Sequence, residues 1–333
     1  MKNIHLVDVT LRDGGYRNNF NFTPEFAAHA AQNLAEAGIP FIEIGYCKGT
    51  FAKRQEHGLT SSVTSEYINA LQQAVQGRSK LCVMVHPQNI EESDLVMLAE
   101  HGVAKIRVCI RPDQLENSMK TLATAKRLGF MVSSNITHVT KTPFADISAM
   151  ALRSEDAGAD LIVFADSNGN MIPTDVQRLI GKIGSRTRLP LGFHAHNNLT
   201  LALSNAIAAV DAGAEYIDAS ICGMGKGAGN LHLGMIVAYL DRLNMQSGYD
   251  LVKILELSSH ASENVELSSL PLPLIDIMLG AYNISFDAKQ KIAASLPNPT
   301  ESAWFQKLRS LREEVGSHGV GLVNAPGAIL GAA

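Results

Sequence analysis

No two cysteines of this chain stand close together. Cys47, Cys82, Cys109 and Cys222 are spread through 333 residues with no CxxC pair, which argues against a zinc knuckle or a disulfide framework. Cys82 and Cys109 fall in apolar, strand-like runs and read as small core residues. Cys47 and Cys222 follow strands, but neither has an evident neighbouring base, so neither reads as a nucleophile. Basic charge is scarce as well. Lys and Arg number 28 against 32 Asp and Glu, a formal net charge of −4, which argues against nucleic acid or an anionic membrane as the main partner. The start of the chain, Met1 to Val7, lacks the apolar region and cleavage site of a signal peptide. No apolar run reaches spanning length free of charge, so the expectation is a soluble, cytoplasmic protein.

What is plentiful is apolar residue, at 46% of the chain, enough for one large core. Short β-branched runs begin near Ile4, Pro40, Lys80, Ala104, Phe130, Asp160, Pro190 and Glu215. Amphipathic stretches alternate with them: Thr23 to Ala37, Ser62 to Ala74, Ile90 to His101, Asp113 to Leu128, Ala145 to Ala157, Thr174 to Ile183, Leu199 to Ala212 and Leu231 to Leu243. Thr23, Asp113 and Thr174 read as N-caps, and Gly38, Gly102, Gly129, Gly158 and Gly213 as helix ends. Eight strand–helix units predict an α/β protein, a (β/α)8 TIM barrel over residues 1–243. A doubly wound open sheet would want its glycine-rich loop after the first strand, whereas the dense glycines here follow the last. Residues 244–319 read as a helical C-terminal appendage and 320–333 as a small-residue tail. Self-association through the appendage into a homo-oligomer is expected.

The most informative segment is His194-Ala195-His196-Asn197-Asn198, after the run Leu189 to Phe193. A strand sends alternate side chains to one side, so both imidazoles face the same way at its C-terminal end. Paired imidazoles are costly to bury unless satisfied, by backbone carbonyls or by a metal ion. Asp13, in Thr10-Leu11-Arg12-Asp13-Gly14, is a candidate third ligand. One carboxylate with two imidazoles leaves positions open and suits a divalent metal ion, Mn2+ or Mg2+ first, with Zn2+, Co2+ or Fe2+ as alternatives. Arg12 beside Asp13 is either a local ion pair capping the barrel or a cation placed to steady an enolate oxygen.

Active sites of such barrels sit at the C-terminal strand ends, so polar residues there are candidates. Glu43 on the second strand and Arg107 on the fourth are expected as substrate contacts, and His138 after the fifth and Ser167 after the sixth are further polar strand-end residues. The segment Gly223-Met224-Gly225-Lys226-Gly227-Ala228-Gly229-Asn230 matches neither a P-loop nor a dinucleotide fingerprint. It reads as a mobile lid that places Asn230 near the metal, with a phosphate loop as the alternative.

Together, Thr10 to Gly14, His194 to Asn197 and Gly223 to Asn230 resemble the DRE-type TIM-barrel metallolyases (the HMG-CoA lyase-like superfamily), over about residues 4–243. The resemblance implies Asp13, His194 and His196 as metal ligands, Asn230 as a fourth ligand or a supporting group, and Arg12 as the enolate stabiliser. Asp218-Ala219-Ser220, Ala165-Asp166-Ser167 and Gly280-Ala281-Tyr282 are most similar to the 4-hydroxy-2-oxovalerate aldolases. That implies Ser167 at the pyruvyl carboxylate and Tyr282 near the substrate hydroxyl, with a 2-oxo acid and an aldehyde as small-molecule substrates. It also implies an acylating aldehyde dehydrogenase as partner, although the appendage here is shorter than the family's. One position departs from the pattern: Tyr16 stands where those aldolases carry a histidine base. Either Tyr16 takes the hydroxyl proton, its pKa lowered by a nearby cation and the metal, or another group such as His138 does so, or the reaction differs. The other readings are an acyl-CoA-dependent Claisen synthase or lyase, and a non-catalytic member. Lys226, where the synthases carry Glu, weakens the first.

Overall fold

A computed structural model describes residues 4–49, 58–243, 248–265, 279, 283–296, 303–304, 306–308 and 310–311. Eight parallel strands close into a barrel in sequence order: β1 (His5–Asp8), β2 (Phe41–Cys47), β3 (Lys80–Val85), β4 (Lys105–Ile110), β5 (Met131–Ile136), β6 (Leu161–Asp166), β7 (Leu191–Ala195) and β8 (Tyr216–Ala219). Closure is made by β1 against β8, with His5 opposite Tyr216 and Asp8 opposite Ala219. Eight helices lie between and after the strands: α1 (Pro24–Glu36), α2 (Ser65–Val75), α3 (Glu92–Glu100), α4 (Leu115–Arg127), α5 (Phe144–Asp156), α6 (Pro173–Gly184), α7 (Ala202–Asp211) and α8 (Leu233–Arg242). This is the (β/α)8 TIM barrel the alternating pattern predicts.

Helix starts are decided partly by side-chain chemistry. Thr23 caps α1, accepting from Phe26 N at 3.1 Å. Asp113 is no cap; it sits in a 3-10 turn paired with Arg111. Thr174 lies inside α6, which starts one residue earlier because Pro173 takes its first position. Beyond the barrel run α9 (Leu251–Asn264), packed on α1 and α8, and α10 (Phe286–Ser295). The Pro-containing segments near 271 and 297, the tail 320–333 and Tyr282 lie outside the described residues. Among the described residues, no helix is long and apolar enough to cross a membrane.

Strand alternation divides the core in two. Outward side chains such as Leu6, Ile42, Val83, Ile106, Val132 and Phe193 join the helices in the main apolar cluster. Inward side chains at the lower end, Val7, Phe41, Cys82, Leu161, Val163 and Tyr216, form a separate plug. Higher in the barrel the same inward phase carries Glu43, Arg107, His194 and Asp218, all buried. The interior therefore changes from oil to charge along its axis, and the change places the site.

Candidate metal centre

The ligand atoms meet at the upper mouth. His194 Nε2 and His196 Nε2 are 3.4 Å apart, and they lie 3.9 and 4.0 Å from Asp13 Oδ2. A point equidistant from all three is about 2.2 Å from each, close to a metal–ligand bond length. All three residues are buried, and among the described residues they are the one cluster able to hold a metal ion. They fit a divalent cation in three ways. His194 Nδ1 faces Asp218 Oδ2 at 2.9 Å, so its proton belongs there and Nε2 keeps its lone pair. His196 Nδ1 faces the Gly229 carbonyl at 3.3 Å, with the same consequence. Burial pushes His196 down to about 3, so the ring is neutral and able to ligate at ordinary pH.

Burial alone would raise Asp13, but Arg12 beside it, the facing histidines and Asn230 hold it well below the usual carboxylate range. Asn230 stands behind Asp13. Its Nδ2 donates to Asp13 Oδ2 at 2.9 Å and to the Met224 carbonyl at 3.0 Å, while its Oδ1 is buried without a hydrogen-bond partner. The glycine segment delivers Asn230 there. Asn230 bridges His196, Asn197 N donates to the Gly229 carbonyl, and Asn230 N to that of Gly223. At Gly225 a side chain would displace Asn230, since a Cβ would fall 2.4 Å from its amide carbon. The expected mobile lid is instead a ledge, tied to β7 and to Asp13, whose Oδ2 accepts from Lys226 N at 3.4 Å.

Glu43 and Arg107, expected as substrate contacts, lie one layer lower, fully buried. Glu43 Oε2 accepts from Arg12 Nε at 2.7 Å and from Arg107 Nη1 at 3.0 Å. Arg107 Nη2 donates to Asp218, which holds His194. With its amide oxygen turned toward Arg107, Asn135 also accepts from Nη2 at 2.7 Å. A chain of opposite charges therefore runs from one ligand to another: Asp13, Arg12, Glu43, Arg107, Asp218, His194. Two arginines against three carboxylates leave the buried set negative, and a divalent cation reverses that sign.

The cavity above is lined on one side by His138, Ser167 and Ser285, with Asn135 and Thr137. His138 N donates to Ser167 Oγ at 2.9 Å, joining the loops after β5 and β6. The appendage reaches the same rim. Asn283 Oδ1 accepts from Thr140 Oγ1 at 2.7 Å, and Asn283 Nδ2 donates to the Thr140 carbonyl at 2.8 Å. Opposite stand Tyr16, Tyr46, Met84 and His86. Burial, with Tyr46 and Asp13 beside it, raises Tyr16 well above a normal phenol, and burial pushes Tyr46 up to about 12. Cys109 also lines the cavity, with its thiol pushed up to about 11 by burial, against a nucleophilic role.

Sequence reasoning passed over His86 altogether and read Asp218 only as part of a motif. Continuing the inward phase Cys82, Met84 past the end of β3 finds His86. Tyr46 is out of phase with Phe41 and Glu43, because β2 bulges between Glu43 and Tyr46. Gly45 permits the bulge: its φ is +153°, and a Cβ there would sit 2.4 Å from the Thr60 carbonyl oxygen.

The HMGL-like family model matches residues 3–260. The chain is 34% identical to the 4-hydroxy-2-oxovalerate aldolase of Moorella thermoacetica over 264 residues, 79% of this chain and 78% of that one. It is 35% identical to the enzyme of the same name from Carboxydothermus hydrogenoformans over 257 residues, 77% and 76% of the two chains. Among solved structures, the N-terminal domain of a provisionally named aldolase from Bacteroides vulgatus superposes with a TM-score of 0.76 at 28% identity, covering 87% of this chain and 96% of that one. The carboxyl transferase domain of Rhizobium etli pyruvate carboxylase, solved with pyruvate and biocytin, gives a TM-score of 0.79. It covers 98% of this chain and 58% of that one, at 20% identity, a likeness of fold alone.

Proposed function

From the premise that this chain belongs to the HMGL-like family, we propose that it is a lyase: a divalent-metal-dependent aldolase acting on the C3–C4 bond of a 4-hydroxy-2-oxo acid. The observation that carries the reading is the meeting of Asp13, His194 and His196 around one point, with Arg12 on the carboxylate. Asp13, His194 and His196 would hold the ion, Mn2+ or Mg2+ by its mixed oxygen and nitrogen donors, and it supplies Lewis acidity toward the 2-oxo acid.

In cleavage, a base takes the C4 hydroxyl proton, C4 becomes a carbonyl, and the C3–C4 electron pair passes into the C2–C3 double bond of pyruvate enolate. Protonation at C3 then gives pyruvate. Arg12, held by Glu43 and Asp13, offers a fixed cation to the enolate oxygen with no reorganisation. Ser167, on the rim, suits the carboxylate of the 2-oxo acid. His138 is our choice for the hydroxyl proton, because burial keeps Tyr16 protonated and leaves it to donate a hydrogen bond.

The test is exchange of pyruvate's methyl protons in D2O, followed by NMR with and without Mn2+ or Mg2+. Exchange that needs the metal and stops with chelator is expected. Absence of exchange under every divalent metal tried overturns the enolate chemistry.

A further inference from the structure

Beyond α9 the described residues carry an apolar cluster of their own, Leu279, Ile292, Trp304 and Leu308, separate from both clusters of the barrel. Where this part of the appendage meets the barrel rim, the described hydrogen bonds centre on one side chain, Asn283. Its φ is +56°, in the left-handed region that Asn enters more readily than most residues. Ile284 N, next along the chain, donates to the Leu279 carbonyl at 2.8 Å and fastens this turn to the cluster. The Asn283 amide reaches the barrel. Its Oδ1 accepts from Thr140 Oγ1 and from Asn168 Nδ2, and its Nδ2 donates to the Thr140 carbonyl. Asn168 Nδ2 lies 3.4 Å from Thr140 Oγ1 as well, which completes a small buried network.

Thr140 and Asn168 belong to different loops, after β5 and after β6, and each stands beside a residue of the cavity. Thr140 is two residues past His138, and Asn168 follows Ser167. His138 N donates to Ser167 Oγ, so the Ser167 hydroxyl keeps its own proton to donate into the cavity. His138 also has a left-handed φ, +56°, a conformation that persists in a non-glycine residue only where its surroundings hold it. Two residues beyond Asn283, Ser285 lines the same cavity and caps α10, accepting from Ala288 N at 3.3 Å. A tie that served the appendage alone would need one of the two loops. This one joins both.

We infer that Asn283 is a positioning residue: its amide locks the loops after β5 and β6 together and so sets Ser167 where it receives the carboxylate of the 2-oxo acid. The inference rests on the aldolase reading and gives the appendage a part in substrate binding.

The experiment follows exchange of pyruvate's methyl protons over a range of pyruvate concentrations, with Mn2+ and full-length protein. Wild type, Asn283→Gly, Thr140→Val and the double variant are compared. Glycine accepts the left-handed φ, so Asn283→Gly removes the amide alone. Its KM for pyruvate is expected to rise about tenfold, with kcat for exchange within about threefold, because a hydrogen bond to a carboxylate is misplaced while Arg12 is untouched. Mn2+ affinity by calorimetry is expected to stay unchanged. So is the emission of Trp304, the one tryptophan of the chain, which reports on the appendage cluster. The double variant is expected to match Asn283→Gly, since both substitutions open one network. A KM within about twofold of wild type overturns the inference. So does weaker Mn2+ binding or red-shifted Trp304 emission alongside the higher KM, since the amide then props the fold at large. Increases in KM that multiply in the double variant overturn it too. Absence of exchange in the wild type removes the aldolase reading, whereas exchange with an unchanged KM in Asn283→Gly removes this inference alone.

Discussion

The two ends of one barrel interior bury charge in opposite ways. At the upper end Arg12, Glu43, Arg107 and Asp218 face one another, each charge meeting its opposite within hydrogen-bond distance. The oxygens left over, Glu43 Oε1 and Asp218 Oδ1, belong to carboxylates already paired. At the lower end Lys105 meets no opposite charge within hydrogen-bond distance among the described residues. It is fully buried, its Nζ has no hydrogen-bond partner, and it rests 4.5 Å from the Phe41 ring centroid and 4.9 Å from that of Tyr216. Burial pulls this lysine down to about 8. The upper charges hold a constellation in place, and removing one orphans its neighbour. The lower charge serves no partner, and cation–π contact offsets only part of its lost hydration.

The sharpest way to break the comparison is to remove a ligand. Asp13→Asn or His196→Ala should abolish metal binding in the micromolar range and proton exchange with it, as read by calorimetry and NMR, while the fold survives. Micromolar metal binding retained in either variant would dissolve the distinction between a working end and a structural one. Next comes Glu43→Gln, which strips both arginines of their shared counter-charge. A loss of about 3–5 kcal/mol is expected in denaturant unfolding, because uncompensated charge stays buried. A loss under about 1 kcal/mol would mean the upper charges are not coupled.

The smallest effect belongs to the lower end and has the opposite sign. Lys105→Met should stabilise the protein by about 1–2 kcal/mol at pH 7, since no acceptor is orphaned and a desolvated ammonium is removed. The pH dependence follows from linkage. Folding disfavours the ammonium, so the penalty is full below about pH 8 and fades as pH rises toward the unfolded lysine value near 10.4. Between those limits the unfolded chain binds more protons, and wild-type stability should climb toward that of Lys105→Met. A stability difference between the two proteins that stays constant from pH 7.5 to 10.5 would show that Lys105 is not desolvated as described.

Much of this molecule was legible before folding. Every strand begins within one residue of the position its apolar run indicated, because a barrel strand buried on both faces is written as a short continuous run. His194 and His196 were readable as a pair because strand periodicity is local. Glu43 and Arg107 were found as candidates and given the wrong layer, since position along a strand does not reveal which depth faces a cavity. Tyr46 needed the bulge at Gly45, and His86 needed the third strand's inward phase carried past its end. Tyr282 falls outside the described residues, and the reach of the appendage is seen instead in Asn283 and Ser285.

The amino-acid order alone determined the eightfold alternation, the acidic and imidazole ligand types and the glycine segment, because each depends on spacing within a few residues. Only the folded barrel decided that Asp13 meets His194 and His196, that two arginines link the ligands beneath the cavity, and that Tyr16, Tyr46 and His86 line its opposite side. Those are contacts between strands far apart in the chain, and closure of the sheet, not local preference, brings them to one point.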